Sequence, residues 1–290
     1  MSNLKVFNDF DEYKILDMAH GEKLESWNGV ILRRPDPQVI WSDESFPELW
    51  NKADAVYHRS NTGGGAWEKK NNIKDEWQIH LKDLTFNLKL MGFKHTGLFP
   101  EQAYNWNFMI NKIKNSGRKI KVLNLFAYTG GATVACAYAG ADVVHVDASR
   151  GMVDVAKENI ESSGLEDRYV RFIVDDVIKF VEREIRRGNK YDIIIMDPPS
   201  FGRGSSGEVW SIEDNLFDLV SLCKELLSDN PLMFLINSYT TGLPKNVMEN
   251  ILNILLTNDL GGTVTSDDLG IKQVDSNIIL PCGNFARWEK

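Results

Sequence analysis

Acidic residues follow three successive apolar runs, at a spacing that points to a binding site for a nucleoside cofactor. Asp147, Asp176 and Asp197 each stand at or just after the end of one run. When such runs are neighbouring parallel strands, their carboxyl ends meet at one edge of the sheet, where ligands bind. Asp147 can then accept hydrogen bonds from two ribose hydroxyls. Asp176 can accept from an adenine amino group while the backbone N–H of Val177 donates to the ring.

A glycine-bearing turn, Phe126–Gly131, precedes these acids and joins a predicted strand to a predicted helix. Gly130 and Gly131 would let a ligand approach the backbone closely. The unpaired N–H groups at the start of the helix can hold a carboxylate. The turn carries neither a G-x-G-x-x-G pattern nor a P-loop, which disfavours pyrophosphate. A carboxylate that ends an amino-acid moiety fits this turn better.

The motif Asp197-Pro-Pro-Ser-Phe201 closes the next apolar run. Each proline lacks an N–H and has a fixed φ, so the strand cannot continue and the carbonyls are held outward. A carboxylate, fixed carbonyls and an aromatic ring form a cradle for a planar group. Such a cradle can align a planar substrate with a neighbouring cofactor and exclude water. Gly202–Gly207 reads as a mobile loop over this site, in which Arg203 is either a phosphate contact or an ordinary surface residue.

The elements that must position these residues change character near residue 92. Before it, period-2 alternation between turn-rich stretches predicts antiparallel strands at 13–16, 29–33, 38–41, 77–81 and 84–90. This region also holds Trp27, Trp41, Trp50, Trp67 and Trp77, which indicate packing first and base stacking for one of them as an alternative. We therefore predict a small β-rich domain over 1–92 and a second domain over 93–290.

Strands alternate with helices from residue 93 onward, which predicts a parallel sheet with helices on both faces. The predicted helices are 102–115, 131–139, 151–163, 177–187, 213–228 and 245–257. The predicted strands are 121–126, 142–146, 170–174, 191–196 and 231–237, followed by short closing strands at 263–268, 271–274 and 277–281.

Composition excludes several classes of protein. With 290 residues, 43% of them hydrophobic, the chain has room for one large globular domain and a small one. No apolar run reaches the roughly 20 residues needed to span a bilayer, and the polar start predicts no secretory segment. Three scattered cysteines predict neither a disulfide framework nor a metal site, and suit the cytoplasm. A net charge of −8 argues against a surface coated by nucleic acid but leaves room for a local basic groove.

Four motifs together resemble the class I S-adenosylmethionine-dependent methyltransferases: Asn124–Gly130, Val146–Ser149, Asp175–Val177 and Asp197–Phe201. More narrowly, they resemble the branch with the bacterial 23S ribosomal-RNA cytosine-C5 and guanine-N7 methyltransferases. Thr96–Gln102 is similar to that branch's segment just before the catalytic domain. The resemblance covers residues 94 to 243 well and implies S-adenosyl-L-methionine as cofactor. The expected fold is α/β: a Rossmann-like, doubly wound, mostly parallel seven-stranded sheet beside the β-rich N-terminal domain.

The resemblance also assigns roles to residues. The cofactor would be held by Phe126, Tyr128, Thr129, Gly130, Asp147, Ala148, Ser149, Asp175, Asp176, Val177 and Asp197. The acceptor would be framed by the catalytic set Asp197, Pro198, Pro199 and Ser200. The substrate would also contact Phe201, Arg203, Ser238 and Tyr239, within an opposite wall at 237–241.

Two departures from that branch shape the expected chemistry. Its cytosine-C5 members attack the base with a cysteine after the strand that ends near residue 237, but here no cysteine lies at 237–243 and position 200 is serine. Cys136 and Cys223 read as helix core residues and Cys282 as structural. We therefore favour direct transfer to a nitrogen or oxygen over a covalent C5 reaction. The small RNA-binding module of those members is not recognisable in 1–92.

The sequence thus predicts a methyltransferase that acts on an RNA base, ribosomal RNA first. A methyltransferase for a small molecule or a protein is the alternative within enzymes. A non-catalytic S-adenosylmethionine-binding protein is the alternative of another class, and a nicotinamide-dependent oxidoreductase lacks its glycine pattern. The oligomeric state, monomer or homodimer, stays open.

Overall fold

The structure is a computed structural model that describes residues 4–60, 64–203 and 209–290. Its residues divide into two compact units. The large unit comprises Met1–Lys5, Asn105–Leu269 and Gly283–Lys290, and the second unit comprises Val6–Tyr104 and Gly270–Cys282. The boundary expected after residue 92 lies inside the second unit, so an independently folding domain 1–92 stays a prediction.

The strands, in chain order, are β1 (Leu4–Val6), β2 (Tyr13–Ala19), β3 (Glu22–Trp27), β4 (Val30–Pro35), β5 (Ala55–Arg59), β6 (Gly65–Lys69), β7 (Glu76–Leu81), β8 (Leu84–Lys89), β9 (Lys121–Leu125), β10 (Asp142–Asp147), β11 (Val170–Val174), β12 (Ile193–Met196), β13 (Phe201–Arg203), β14 (Val209–Ser211), β15 (Met233–Ser238), β16 (Thr263–Lys272) and β17 (Ile279–Glu289). The α-helices are α1 (Pro47–Trp50), α2 (Ala103–Lys114), α3 (Gly131–Tyr138), α4 (Arg150–Ser162), α5 (Val177–Arg186), α6 (Ile212–Lys224), α7 (Lys245–Leu252) and α8 (Asn258–Leu260). Short 3-10 turns lie at Gly92–Lys94 and Pro100–Gln102, and a π-helical turn at Asn253–Thr257 joins α7 to α8.

An eight-stranded sheet in the order β1-β16-β17-β15-β12-β9-β10-β11 forms the core of the fold. The run β15-β12-β9-β10-β11 is parallel throughout, and β17 pairs antiparallel with β15. The predicted Rossmann-like, mostly parallel α/β fold is confirmed. The strand number is corrected, because β1 adds an eighth strand at one edge.

Burial explains why the central strands are apolar along their whole length. Every residue of β12 and β15 is buried, since helices cover both faces of a parallel sheet. Apolar side chains of β9, β12 and β15 share one core cluster with those of α5, α6 and α7. The strand ends that carry the candidate site residues are therefore held by a rigid core.

The predicted helices of the large unit lie where the sequence placed them, while several strands needed correction. Residues 38–41 form no strand, and Ile40 is 90% exposed. The three short closing strands are two long ones, β16 and β17. Strands β3, β5 and β6 were not predicted. In β3 the reason is Glu25, a charged residue at an inward position that is fully buried because it pairs with Arg34.

The second unit contains a five-stranded sheet in the order β2-β3-β4-β5-β6 and a hairpin of β7 with β8. Trp27 and Trp50 lie in its core, which confirms their interpretation as packing residues. Trp41, Trp67 and Trp77 donate their indole N–H groups to backbone carbonyls at 2.7, 2.7 and 3.1 Å. The alternative of base stacking is not needed to explain these three rings.

Candidate functional site

The turn between β9 and α3 has an unusual backbone. Phe126 and Tyr128 adopt left-handed φ values of 52° and 50°, and Gly130 has φ 82°. A non-glycine residue in this region costs about 1–3 kcal/mol and persists where its surroundings hold it. Here the N–H of Ala127 donates to the carbonyl of Val146 at 3.0 Å. Strain of this kind clusters at ligand sites, which supports the turn as a binding element.

Asp147, at the end of β10, holds the turn from the neighbouring strand. One carboxylate oxygen accepts from the backbone N–H of Tyr128 at 2.9 Å, and the other from that of Ser149 at 2.8 Å. Burial raises the pKa of Asp147 above its ordinary value, and the two backbone N–H groups partly oppose the rise. Each oxygen has a second lone pair, so the carboxylate can also accept hydrogen bonds from a ligand. Ala148 and Ser149 are exposed beside it.

The two glycines of the turn are required by packing. A Cβ on Gly130 would lie 2.9 Å from the Cβ of Ala156, and one on Gly131 would lie 2.5 Å from Cζ2 of Trp106. Both distances are shorter than real carbon contacts. Contacts with α4 and α2 thus explain why both positions are glycine, and the expectation that these glycines also let a ligand approach the backbone stays a prediction.

A buried polar network beneath the turn was missed by the sequence argument. Asn124 donates to the hydroxyl of Thr133 at 2.9 Å, and that hydroxyl lies 2.9 Å from Nδ1 of His145. Burial, aided by the charge of Lys157, lowers the pKa of His145 to about 3, so its ring is neutral. Asn159 donates to the carbonyl of Thr129 at 2.8 Å and so fixes the turn from α4. The sequence does contain a signal for this network, because each of two apolar runs is interrupted by one polar residue, Asn124 in the first and His145 in the second.

The acids after β11 are engaged in starting α5. Asp176 caps the helix by accepting from the backbone N–H of Lys179 at 3.0 Å, and Val177 is buried. Asp175 accepts from the N–H of Asp176 at 2.9 Å and pairs with Arg183. Capping uses one oxygen of Asp176, so its role toward an adenine ring stays a proposal, as do those of Asp175 and Val177.

The motif Asp197–Phe201, called the acceptor motif below, begins directly after β12. The backbone N–H of Asp197 lies 3.4 Å from the carbonyl of Leu125, which sets the motif beside the cofactor turn. Asp197 is half-buried and Pro198 buried, whereas Pro199 and Ser200 are exposed. The structure thus brings the two predicted motifs together at adjacent strand ends.

The segment after β15 lies against the acceptor motif, where the opposite wall was expected. The hydroxyl oxygens of Ser200 and Thr240 are 2.7 Å apart, and the N–H of Thr240 donates to the hydroxyl of Ser238 at 3.1 Å. Ser238 is buried. A Cβ on Gly283 would lie 2.9 Å from the ring of Tyr239, so this ring packs on the backbone of β17.

The stretch read as a loop over the site begins as a hairpin. Phe201–Arg203 pairs antiparallel with Val209–Ser211, which corrects the loop interpretation for Gly202 and Arg203; residues 204–208 lie outside the described residues. The phosphate contact of Arg203 stays a prediction. Phe201 is 57% exposed, as a substrate contact would be. Trp210 was missed: its indole N–H donates to the carbonyl of Pro199 at 2.6 Å.

The three thiols are protonated near neutral pH. Burial raises the pKa of Cys136 to about 12 and raises that of Cys223 further. Burial and the charge of Glu101 raise the pKa of Cys282, whose thiol contacts the carbonyl of Leu280 at 3.5 Å. Only Cys282 is more than slightly exposed. These thiols read as structural, as expected from their positions.

Across 4–60, 64–203 and 209–290, no group of three or more His, Cys, Asp or Glu side chains is placed to hold a metal ion. Among the helices of the described chain, none combines the length and apolar character needed to cross a bilayer.

Known proteins resemble this chain in both sequence and fold. Residues 54–251 match the family model described as S-adenosylmethionine-dependent methyltransferase. The solved structure of an S-adenosylmethionine-dependent methyltransferase from Agrobacterium tumefaciens is similar, with 35% identity, a TM-score of 0.94, and coverage of 99% of this chain and 93% of that one.

Two curated relatives carry a ribosomal name. Ribosomal RNA large subunit methyltransferase K/L from Syntrophotalea carbinolica is 30% identical over 209 residues, 69% of this chain and 28% of that protein. Ribosomal RNA large subunit methyltransferase I from Enterobacter sp. (strain 638) is 42% identical over 87 residues, 30% of this chain and 22% of that protein. The chain therefore matches less than a third of the length of either relative.

Proposed function

The chain belongs to the S-adenosylmethionine-dependent methyltransferase family, and on that premise we propose that it methylates a base of RNA, ribosomal RNA first, by direct transfer. The family membership makes it an enzyme with S-adenosyl-L-methionine as cofactor. The names of the two curated relatives support ribosomal RNA as the acceptor molecule, and a base as the methylated group is our proposal. We also propose the cytoplasm as its location, which the three free cysteines suit.

The residues present fit this cofactor, which supplies a methyl group already activated on a sulfonium. Asp147 offers carboxylate lone pairs for ribose hydroxyls while its two backbone donors hold it in place. The strained turn at Phe126 and Tyr128 presents backbone groups at the start of α3, where a carboxylate can bind. Thr129 and Gly130 belong to the same turn, and Asp176 with Val177 would face the adenine.

One observation carries the proposal: donor and acceptor motifs end adjacent parallel strands. Strand β9 pairs with β10 on one side and with β12 on the other. The cofactor turn, Asp147 and the Asp197–Ser200 motif therefore lie at the same edge of the sheet. This arrangement suits a reaction in which proximity and exclusion of water supply the catalysis.

On the acceptor side, the chain's residues would position a base and hold its proton. Asp197 would accept a hydrogen bond from the attacking N–H, and the prolines would support the base plane. The exposed ring of Phe201 would stack on the target or its neighbour. Ser238 and Tyr239 would complete the wall. We favour direct transfer because covalent addition to a pyrimidine needs a thiolate, and neither Asp197–Phe201 nor the stretch 237–243 contains a cysteine.

Mass spectrometry of ribosomal-RNA nucleosides from cells that lack and cells that overproduce the protein tests the proposal. One methylated nucleoside is expected to disappear in the first cells and to return with the wild-type gene but not with Asp197→Ala. Identical nucleoside profiles, together with cofactor binding by the purified protein, would favour a small-molecule or protein acceptor. RNA affinity that falls steeply with salt would support the RNA acceptor independently.

A further inference from the structure

We propose that Trp210 is a positioning residue that holds the acceptor motif and couples it to the cofactor turn. The proposal deepens the proposed function and rests on it for the methyl-transfer step. Trp210 has contacts in both directions. Its indole N–H donates to the carbonyl of Pro199 at 2.6 Å, and its ring centroid lies 5.2 Å from that of Phe126 at an interplanar angle of 52°.

The hairpin of β13 and β14 explains how the indole reaches this position. Trp210 pairs directly with Gly202, and side chains of paired residues point to the same face of a hairpin. Gly202 lies at packing distance from both residues: a Cβ on it would be 3.7 Å from Cγ of Pro199 and 3.9 Å from Cβ of Trp210, which are ordinary van der Waals contacts. Val209, the preceding residue, points to the other face and is 59% exposed.

Two further hydrogen bonds fix the base of the hairpin. The backbone N–H of Ile212 donates to the carbonyl of Ser200 at 3.1 Å, which closes the base of the hairpin. The N–H of Ser211 donates to the side chain of Asn215 at 2.9 Å, which ties the hairpin to α6. Both Phe126 and Trp210 also pack on the main core cluster. Trp210 therefore bridges the motif at Pro199 and the turn at Phe126.

This bridge has two consequences for catalysis. The indole N–H occupies the carbonyl oxygen of Pro199, and this hydrogen bond holds the peptide plane between Pro199 and Ser200 in one orientation. The indole ring also contacts Phe126, a residue with strained backbone at the cofactor turn. A small change of that turn on cofactor binding would move the Phe126 ring, and with it the indole and the acceptor motif. The acceptor side would thereby be ordered when the cofactor is present.

The first experiment observes Trp210 directly and does not depend on the acceptor. The full-length protein is labelled with 5-fluorotryptophan, and Trp210→Phe identifies the Trp210 signal among the eight tryptophans by ¹⁹F NMR. Addition of S-adenosylhomocysteine is expected to shift this signal and to leave that of the buried Trp27 unchanged. A Trp210 signal that does not move at saturating ligand overturns the coupling. If Trp210→Phe does not fold, Trp210→Tyr serves for the assignment.

The second experiment measures methyl transfer to ribosomal RNA from cells that lack the protein. Trp210→Phe keeps a ring but removes the donor, and is expected to lower kcat about three- to tenfold with KM for S-adenosylmethionine within about twofold. Val209→Ala, on the outward face of the same strand, is the matched control and should match the wild type. Wild-type kcat in Trp210→Phe overturns the proposal. If the wild type methylates no RNA, the proposed function fails, and the ¹⁹F result still decides the role of Trp210.

Discussion

Replacing Asp147 by asparagine should weaken binding of S-adenosylmethionine about 10- to 100-fold. The substitution keeps the shape of the side chain but removes its charge and one acceptor oxygen. In the wild type, both carboxylate oxygens already accept backbone N–H groups, from Tyr128 and Ser149. An asparagine can satisfy only one of these donors, and its amide nitrogen would face the other.

The magnitude follows from these contacts. A hydrogen bond to a charged group contributes about 1.5–3 kcal/mol, and 1.4 kcal/mol is a tenfold change in affinity. Loss of one charge-assisted contact to a ribose hydroxyl therefore corresponds to about ten- to a hundredfold. The freed backbone donor acts in the same direction, because it loosens a turn in which Tyr128 holds a left-handed conformation.

Isothermal titration calorimetry with S-adenosylmethionine measures the effect, and β10 offers a matched control. Asp142, at the other end of that strand, forms a surface ion pair with Lys119 at 2.9 Å, and such pairs contribute little. Asp142→Asn should therefore bind the cofactor like the wild type. Unchanged affinity in Asp147→Asn, or an equal loss in both variants, would refute the assignment of Asp147.

The pH dependence gives a second check with a definite sign. Because burial raises the pKa of Asp147, its ionised form becomes less populated as the pH falls through that raised value, above the ordinary 3.8. Cofactor affinity should decrease there in the wild type and not in Asp147→Asn. Stability runs the other way: the folded state holds this proton more tightly than the unfolded state, so this group's contribution to stability falls as the pH rises through the same window.

Three further outcomes are expected. Gly131→Ala should lower the free energy of unfolding in urea by about 1–3 kcal/mol, because its Cβ would lie 2.5 Å from Trp106. Gly151→Ala, with open space around it, should be neutral or slightly stabilising. Equal effects of the two substitutions would contradict the packing explanation. Glu25→Gln should cost about 3–5 kcal/mol at pH 7, since it leaves the charge of the buried Arg34 without its carboxylate partner. Burial opposes ionisation of Glu25, but attraction by Arg34 and Lys23 outweighs this effect and lowers its pKa to about 2. The variant should therefore lack this group's share of the stability that the wild type loses as the pH falls from 4.5 toward 2, and a wild-type-like acid transition in the variant would be the contrary result. Cys282→Ala should keep full methyl transfer, because its protonated thiol is no nucleophile; lost activity in a folded variant would revive a covalent step.

The helices and the strand-end acids could be predicted because each rests on a local pattern. Helix α4 was expected at 151–163 and lies at Arg150–Ser162, since its apolar residues recur at the helical period. Asp147 and Asp197 could be placed because parallel strands end at a common edge. These predictions did not require knowledge of which distant residue each side chain contacts.

The features that escaped prediction depend on pairing between distant residues. Strand β3 shows no alternation because Glu25 is buried, which is tolerable only beside Arg34 on the adjacent strand. Gly131 is needed because Trp106 lies against it, 25 residues earlier in the chain. Trp210 acquires its role from a hairpin register that places it opposite Gly202. Each of these features depends on strand register or on packing between distant residues, and neither can be read from composition or periodicity.

The residue at the position of a possible nucleophile, Ser200, supports direct transfer on chemical grounds. Its hydroxyl is 2.7 Å from the hydroxyl of Thr240, and either oxygen can be the donor. A serine becomes a nucleophile when a neighbouring base takes its proton, and a threonine hydroxyl cannot do so near neutral pH. The contact instead fixes the distance between the acceptor motif and the segment after β15. In the proposed reaction, the rate would therefore come from alignment of an intrinsically nucleophilic base atom, and changes at Ser200 should act through geometry.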